Sequence, residues 1–221
     1  MSKTLSEAAS KAALATCGIP FLDETVVHDP VAAVAAAGRL GYPVVAKLNG
    51  DKIAHKTERG LVRLGLAGDD EVLRAATELF GAATESDGEV SVLVAPMVRS
   101  NREFICGVST DPQFGQTVLL GVGGILAEAI ADVAIRLVPI DRSDAKEMIE
   151  ELATQDLLGP FRGEEAVDSD RLVDVLVALS QAVTDNPSIE AIDLNPVLIH
   201  NGKPVAVDAL VELSEATAGA L

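Results

Sequence analysis

Short apolar runs of strand length alternate along this chain with stretches whose apolar residues recur every three or four positions. The spacing predicts a helix over 5–16, stopped at Gly18, Ile19 and Pro20, and a strand near 24–27. Asp29 and Pro30 form an N-cap followed by proline at the first helical position, which opens a helix to about residue 40. Strands are expected at 43–48 and 61–66, a helix at 70–83 and a strand at 89–94. Ala95, Pro96 and Met97 break the pattern and divide the chain into expected lobes at 20–94 and 95–221, with the 5–16 helix packing on the second.

Beyond the break, strands are expected at 103–109 and 116–121 around the Asp111-Pro112 turn. Gly121, Gly123 and Gly124 lead into a short helix at 125–131, followed by a strand near 134–139. Ser143 is expected to cap a helix running to 152, and residues 153–167 read as a loop. In the helix at 168–184, positions 172, 175, 176, 179 and 183 form one apolar face. Two strands at 191–200 and 204–211 close the chain. Alternating helices and strands of these lengths specify an α/β (α+β) fold.

Composition narrows the function classes. A chain of 221 residues with 48% apolar and 23% charged residues can bury a sizeable core. The net charge of −17 argues against a nucleic-acid partner, whose phosphates it would repel. Cys17 and Cys106 show no metal-type spacing and are expected as reduced, packed thiols in a cytoplasmic protein, with a disulfide as the alternative. The N-terminal stretch carries Glu7 and lacks the apolar core of a signal peptide, and no apolar run is long enough to span a membrane.

Against this acidity, residues 43–66 stand out. Lys47, Lys52, Lys56, Arg59 and Arg63 outnumber Asp51 and Glu58, a cationic island suited to a polyphosphate. Lys47 lies within an apolar run; such a lysine either snorkels from an edge strand or points into a site where an anion compensates it. His55 sits mid-loop among cations, which keep an imidazole neutral and its ring nitrogen nucleophilic toward phosphorus. An exposed loop histidine is the alternative, as expected for His28 and His200.

The last two strands are joined by Asn201-Gly202, a two-residue type I′ turn signal. That register puts Asn195 opposite Asp208, with Asp193 on the same face. A carboxylate and an amide oxygen converging there suit Mg²⁺, which takes few protein ligands plus phosphate oxygens and waters; a solvated polar sheet face is the alternative. The glycines at 121–124 either cradle a phosphate or make a tight turn.

The segments VVAK (44–47), IAHKTERG (53–60), DPQFGQTVLLGVGGILAEAIADVAIRLVPI (111–140), IDLNP (192–196) and AVDA (206–209) together resemble one known family. It is the ATP-grasp domain of nucleoside-diphosphate-forming acyl-CoA synthetases, related to the β subunit of succinyl-CoA synthetase. The resemblance implies a two-lobed ATP-grasp fold and an ATP/ADP substrate with Mg²⁺. It implies that Lys47 contacts nucleotide phosphates, that Ala95, Pro96 and Met97 face adenine, and that Glu103 binds the ribose hydroxyls. Asn195 and Asp208 match the family's Mg²⁺ ligands, and His55 falls on a histidine that relays phosphate. Where many members carry Asp-x-Gly-Gly after the His-Lys pair, this chain has Glu58, Arg59, Gly60 and Leu61, a change expected to stiffen or reshape the loop.

Fused members also carry a CoA-binding domain and a ligase domain that these 221 residues do not match. The resemblance therefore implies an acid–CoA ligase active only with an α subunit, in an α2β2 assembly without nucleic acid or membrane. The alternatives are a stand-alone carboxylate–amine ligase and a non-catalytic nucleotide-binding regulatory subunit.

Overall fold

The computed structural model describes residues 3–53, 56–124 and 130–214. His55 and positions 125–129 of the helix expected over 125–131 lie outside them. The chain divides into two compact units. The larger holds Met1–Thr4, Ser10–Phe21 and Arg99–Leu221; the smaller holds Leu5–Ala9 and Leu22–Val98. The helix α1, Glu7–Ala15, thus contributes its first turn to the smaller unit and its remainder to the larger.

In the smaller unit, β2 (Thr25–Val27), β3 (Val44–Asn49), β4 (Val62–Leu66) and β5 (Ser91–Pro96) form an antiparallel sheet of order β2-β5-β3-β4. Helices α2 (Pro30–Leu40) and α3 (Asp69–Gly81) cover one face. Asp29 caps α2 by accepting from the Ala32 amide at 2.8 Å. Three carboxylates in the first turn of α3 complement its dipole. Ala33, Ala36, Ala37, Val72, Ala76 and Leu79 pack on Val44, Ala46, Leu48, Val92 and Val94, every second residue of two neighbouring strands. The intervening residues, Val45, Lys47, Asn49, Leu93 and Ala95, share the other face. Leu61, at the position of the missing family glycine, is fully buried in this core. Its amide donates to the Lys56 carbonyl at 2.7 Å, and its carbonyl accepts from Leu48 at 3.0 Å. Packing, rather than backbone freedom, governs that end of the histidine loop.

The larger unit holds a seven-stranded sheet among the described residues. Its strands are β1 (Lys3–Thr4), β6 (Glu103–Asp111), β7 (Gly115–Val122), β8 (Val133–Leu137), β9 (Ile189–His200), β10 (Lys203–Ala206) and β11 (Leu210–Leu213). Their order is β1-β11-β9-β6-β7-β8, with β10 also on β9. Helices α4 (Arg142–Glu151) and α5 (Ser169–Asp185) bury one face, and all five apolar positions expected on α5 are buried. Asp141, not Ser143, caps α4: its carboxylate accepts from the Ser143 and Asp144 amides, and the Asp144 side chain returns the bond.

Three further expectations are corrected. Cys106 is buried as expected, but Cys17 is exposed; both are free thiols. The expected strand 204–211 breaks into β10 and β11, both pairing along β9. Residues 153–167 are not free loop: Gln155–Leu157 forms one 3₁₀ turn, and Arg102 ties down the segment that follows. Among the described residues no helix is long and apolar enough to cross a membrane.

Candidate functional site

Two clusters of candidate residues emerge, one in each unit. In the smaller unit Lys47 does not snorkel from an edge, because β3 lies between β5 and β4. The lysine is buried, and its Nζ bonds Glu7 Oε1 at 2.7 Å. Lys56 Nζ bonds the other oxygen of the same carboxylate. Burying a charge is costly unless it is paired, and Glu7 supplies the pairing. Two further cations of the stretch, Arg59 and Arg63, also meet carboxylates. Arg59 forms a two-pronged bond to Asp87, 2.9 Å on each arm, and Arg63 lies 3.2 Å from Glu78. Part of the cationic island is therefore neutralised by acidic side chains distant in sequence. Ala95 lies on the Lys47 face, paired with Val45, and Met97 donates to the Pro43 carbonyl at 2.9 Å. Lys47, Ala95, Pro96 and Met97 thus belong to adjacent strands of one sheet and the turn that leaves it.

In the larger unit the face away from α4 and α5 carries the polar candidates. Ladder pairing aligns Gly107 with Asp193 and with Leu119 across β9, β6 and β7. Period-two alternation then puts Glu103, Ile105, Asp193 and Asn195 on that face, while Phe104, Cys106 and Leu194 point into the core. A recess of about 320 Å³ there is lined by Ile105, Gly107, Leu119, Asp193 and Leu210. Gly107 is required at its floor, since a Cβ would lie 2.6 Å from the Ile192 carbonyl.

The hairpin register is the expected one: Lys203 pairs with His200 and Ala206 with Val197. It does not extend to an Asn195–Asp208 ladder pair. Pro196 accepts from the Val207 amide at 3.1 Å but has no N–H to return the bond, so the ladder ends there. Asp208 falls between β10 and β11, half-buried, its carboxylate accepting from the Ala209 amide at 2.9 Å. Asp208 is still close enough to act on Asp193. Burial, and then the Asp208 charge, raise the Asp193 carboxyl above its ordinary value. Beneath it, burial with a contribution from Asp193 pushes the Cys106 thiol up to about 12, leaving it inert as a nucleophile.

Asp193 and Asp208 thus bear on one another while the Asn195 amide shares the Asp193 face. This donor set, all hard oxygen, fits Mg²⁺ completed by phosphate and water. Among the described residues no group of three or more His, Cys, Asp or Glu side chains could hold a metal by itself. The glycine-rich turn packs directly against Glu103. Gly123 donates to the Glu103 carbonyl at 2.7 Å, and Gly124 adopts a positive φ of 88°. Arg102, fully buried beside Glu103, bonds Glu164 at 3.1 Å, the carbonyls of Gly159 and Leu157 at 3.0 and 3.3 Å, and the Glu165 carbonyl.

Sequence reasoning missed Glu7 and Arg102. Glu7 showed only as a charge in a helical pattern, and its partners lie 40 and 49 residues away. Arg102 carried one local signal, its place beside Glu103.

The ATP-grasp domain family matches residues 1–213. The β subunit of ADP-forming acetate–CoA ligase I from Pyrococcus furiosus is 35% identical over 210 residues, covering 94% of this chain and 90% of that one. Among solved structures, the dinucleotide forming acetyl-coenzyme A synthetase 1 of Ca. Korarchaeum cryptofilum, in complex with coenzyme A, Ca-AMPCP and HgCl⁺, superposes with a TM-score of 0.88. It is 32% identical, over 96% of this chain and 94% of that one. A second structure of that enzyme holds coenzyme A and Mg-AMPPCP, with its phosphohistidine segment pointing towards the nucleotide binding site. It matches at 33% identity over 96% and 93% of the two chains, with a TM-score of 0.80. The matched length, the two antiparallel sheets and the ordered motifs agree: the chain belongs to the ATP-grasp domain family.

Proposed function

We propose that this chain is the ATP-grasp β subunit of a cytoplasmic ADP-forming acid–CoA ligase. With a CoA-binding α subunit, in an α2β2 assembly, it interconverts acyl-CoA, ADP and phosphate with acid, CoA and ATP. The observation that carries this reading is the similarity to a separately encoded ligase β subunit over nearly the whole of both chains.

Lys47 donates to the nucleotide phosphates and neutralises charge that develops during transfer. The backbone of Ala95, Pro96 and Met97 faces adenine, and the Glu103 carboxylate accepts from the ribose hydroxyls. Asn195 and Asp208 hold Mg²⁺, which when bound neutralises phosphate oxygens. His55 carries the phosphoryl group between the partner's site and the nucleotide. In the ATP-forming direction its N–P bond breaks as a β-phosphate oxygen of ADP bonds the same phosphorus, and the ring nitrogen keeps the electron pair.

The test is reconstitution. The purified chain alone should bind Mg-ADP and form no acyl-CoA, while the mixture with its α subunit should couple acyl-CoA breakdown to ATP synthesis. Acyl-CoA formation by this chain alone would overturn the proposal.

A further inference from the structure

We infer that Glu7 is a positioning residue for phosphoryl transfer, a single carboxylate that fixes Lys47 and the lysine following His55 in one geometry. The inference rests on the proposed role of Lys47 at the nucleotide phosphates.

Three observations support it. Glu7 is 4% exposed, and its two oxygens are divided between two ammonium groups, Lys47 at 2.7 Å and Lys56. A surface ion pair of this kind contributes little, but a buried carboxylate shared by two lysines holds both in register. The carboxylate is itself anchored. The Ala8 amide donates to Asn49 Oδ1 at 3.1 Å and the Ser6 amide to Asp51 Oδ1 at 3.1 Å, bolting the first turn of α1 to the end of β3. Asn49 is fixed in turn by its bond to Ser91 Oγ at 3.0 Å. The third observation concerns the histidine loop. The Lys56 carbonyl accepts from the amide of buried Leu61, so Lys56 is held at its backbone and its side chain together.

Glu7 stands between the two ammonium groups and offsets their mutual repulsion, so both lysines can be held close together. An ammonium has three N–H donors, so the Glu7 bond is compatible with a phosphate contact on the same nitrogen. Glu7 therefore acts through the lysines and touches no reacting atom. Its removal should leave polyphosphate attraction intact, or strengthen it, while loosening the geometry that transfer needs.

The experiment compares wild type, Glu7→Gln and Lys47→Ala in the complex reconstituted with the α subunit. Each is read by calorimetric Mg-ADP binding, by Tm, and by the single-turnover rate of label transfer from γ-labelled ATP to histidine. Glu7→Gln should slow transfer at least about tenfold while its Mg-ADP affinity stays within about threefold of wild type. Transfer within twofold of wild type overturns the inference. A loss of affinity and rate in proportion, with a lowered Tm, also overturns it, because that is the signature of a merely structural residue. If Lys47→Ala retains transfer, the assignment of Lys47 to the phosphates fails, and this inference with it. If Lys47→Ala is inactive and Glu7→Gln is normal, only the inference fails. Should Glu7→Gln not fold, Lys56→Met decides from the other end of the bridge: slower transfer at unchanged affinity supports the role of Glu7, and an unchanged rate overturns it.

Discussion

Gly123 and Glu103 are hydrogen-bonded backbone to backbone, so closely that even a single methyl group on the glycine would crowd the glutamate. The Gly123 amide donates to the Glu103 carbonyl at 2.7 Å, and a Cβ on Gly123 would stand 3.2 Å from the Glu103 carbonyl carbon, carbonyl oxygen and Cβ. The turn read from sequence as either a phosphate cradle or a tight structural turn is at least the second, since it packs on the strand that carries the proposed ribose ligand.

A methyl group at Gly123 should therefore act on nucleotide binding through Glu103. Gly123→Ala needs a shift of a few tenths of an ångström at Glu103. Mg-ADP affinity should fall about fivefold, with Tm nearly unchanged. The effect should vanish in a Glu103→Ala background, because no ribose-binding carboxylate then remains to be misplaced. Calorimetric titration of the two single variants and the double variant measures this coupling. Additive losses would show that Gly123 acts elsewhere.

Much of the fold was legible because local rules and tertiary packing agree. The α5 face, the Asp29-Pro30 helix start and the Asn201-Gly202 turn each rest on spacing of four residues or fewer. What escaped were relationships set by the third dimension. Nothing in the run around Lys47 reveals that β3 is flanked on both sides, or that the counter-ion is Glu7. The Asn195–Asp208 expectation had the register right and failed at one atom, the missing amide hydrogen of Pro196. Leu61 read as the loss of a glycine and proves to be a core residue.

Arg59 and Asp87 give the smaller unit a pH signature. Asp87 is buried, and the Arg59 guanidinium, followed by the Thr84 amide and hydroxyl, holds its carboxyl well below the ordinary value of 3.8. A carboxyl lowered in the folded state contributes stability that is present above its unfolded pKa, near 4, and lost as pH falls toward the folded one. Arg59→Ala should lower stability across the neutral and basic range, where the pair is fully formed, and move the acid-unfolding midpoint to higher pH. Circular dichroism across an acid titration tests this, and an unshifted midpoint would show that Thr84 alone sets the Asp87 carboxyl.

Asp208→Asn should separate metal function from stability. Burial and the Asp208 charge both oppose ionisation of Asp193, so neutralising Asp208 relieves repulsion in the metal-free chain. The variant should melt no lower than wild type without Mg²⁺, yet lose at least about a hundredfold in Mg²⁺-dependent coupled turnover. A variant that melts early while its folded fraction keeps full activity would make Asp208 a structural residue.

His55 is the residue on which the proposed relay turns, and it differs from His28 and His200, both exposed, in the basic residues that surround it in sequence. Lys56 follows it, and Arg59 and Arg63 lie within the next eight positions. With the α subunit, phosphate and acyl-CoA present, the chain should acquire an acid-labile, base-stable phosphoramidate at His55. His55→Ala should abolish nucleotide-linked turnover and leave Mg-ADP affinity within about twofold, because the proposed nucleotide contacts come from other residues. His28→Ala and His200→Ala should keep near-normal rates and serve as controls. The burial of Leu61 bounds the expectation in one respect: the loop end after Gly60 is anchored in the core, so any movement of His55 must arise before it. Label appearing only on the α subunit, with His55→Ala still turning over, would mean that the partner's own histidine delivers phosphate directly to the nucleotide held by this chain.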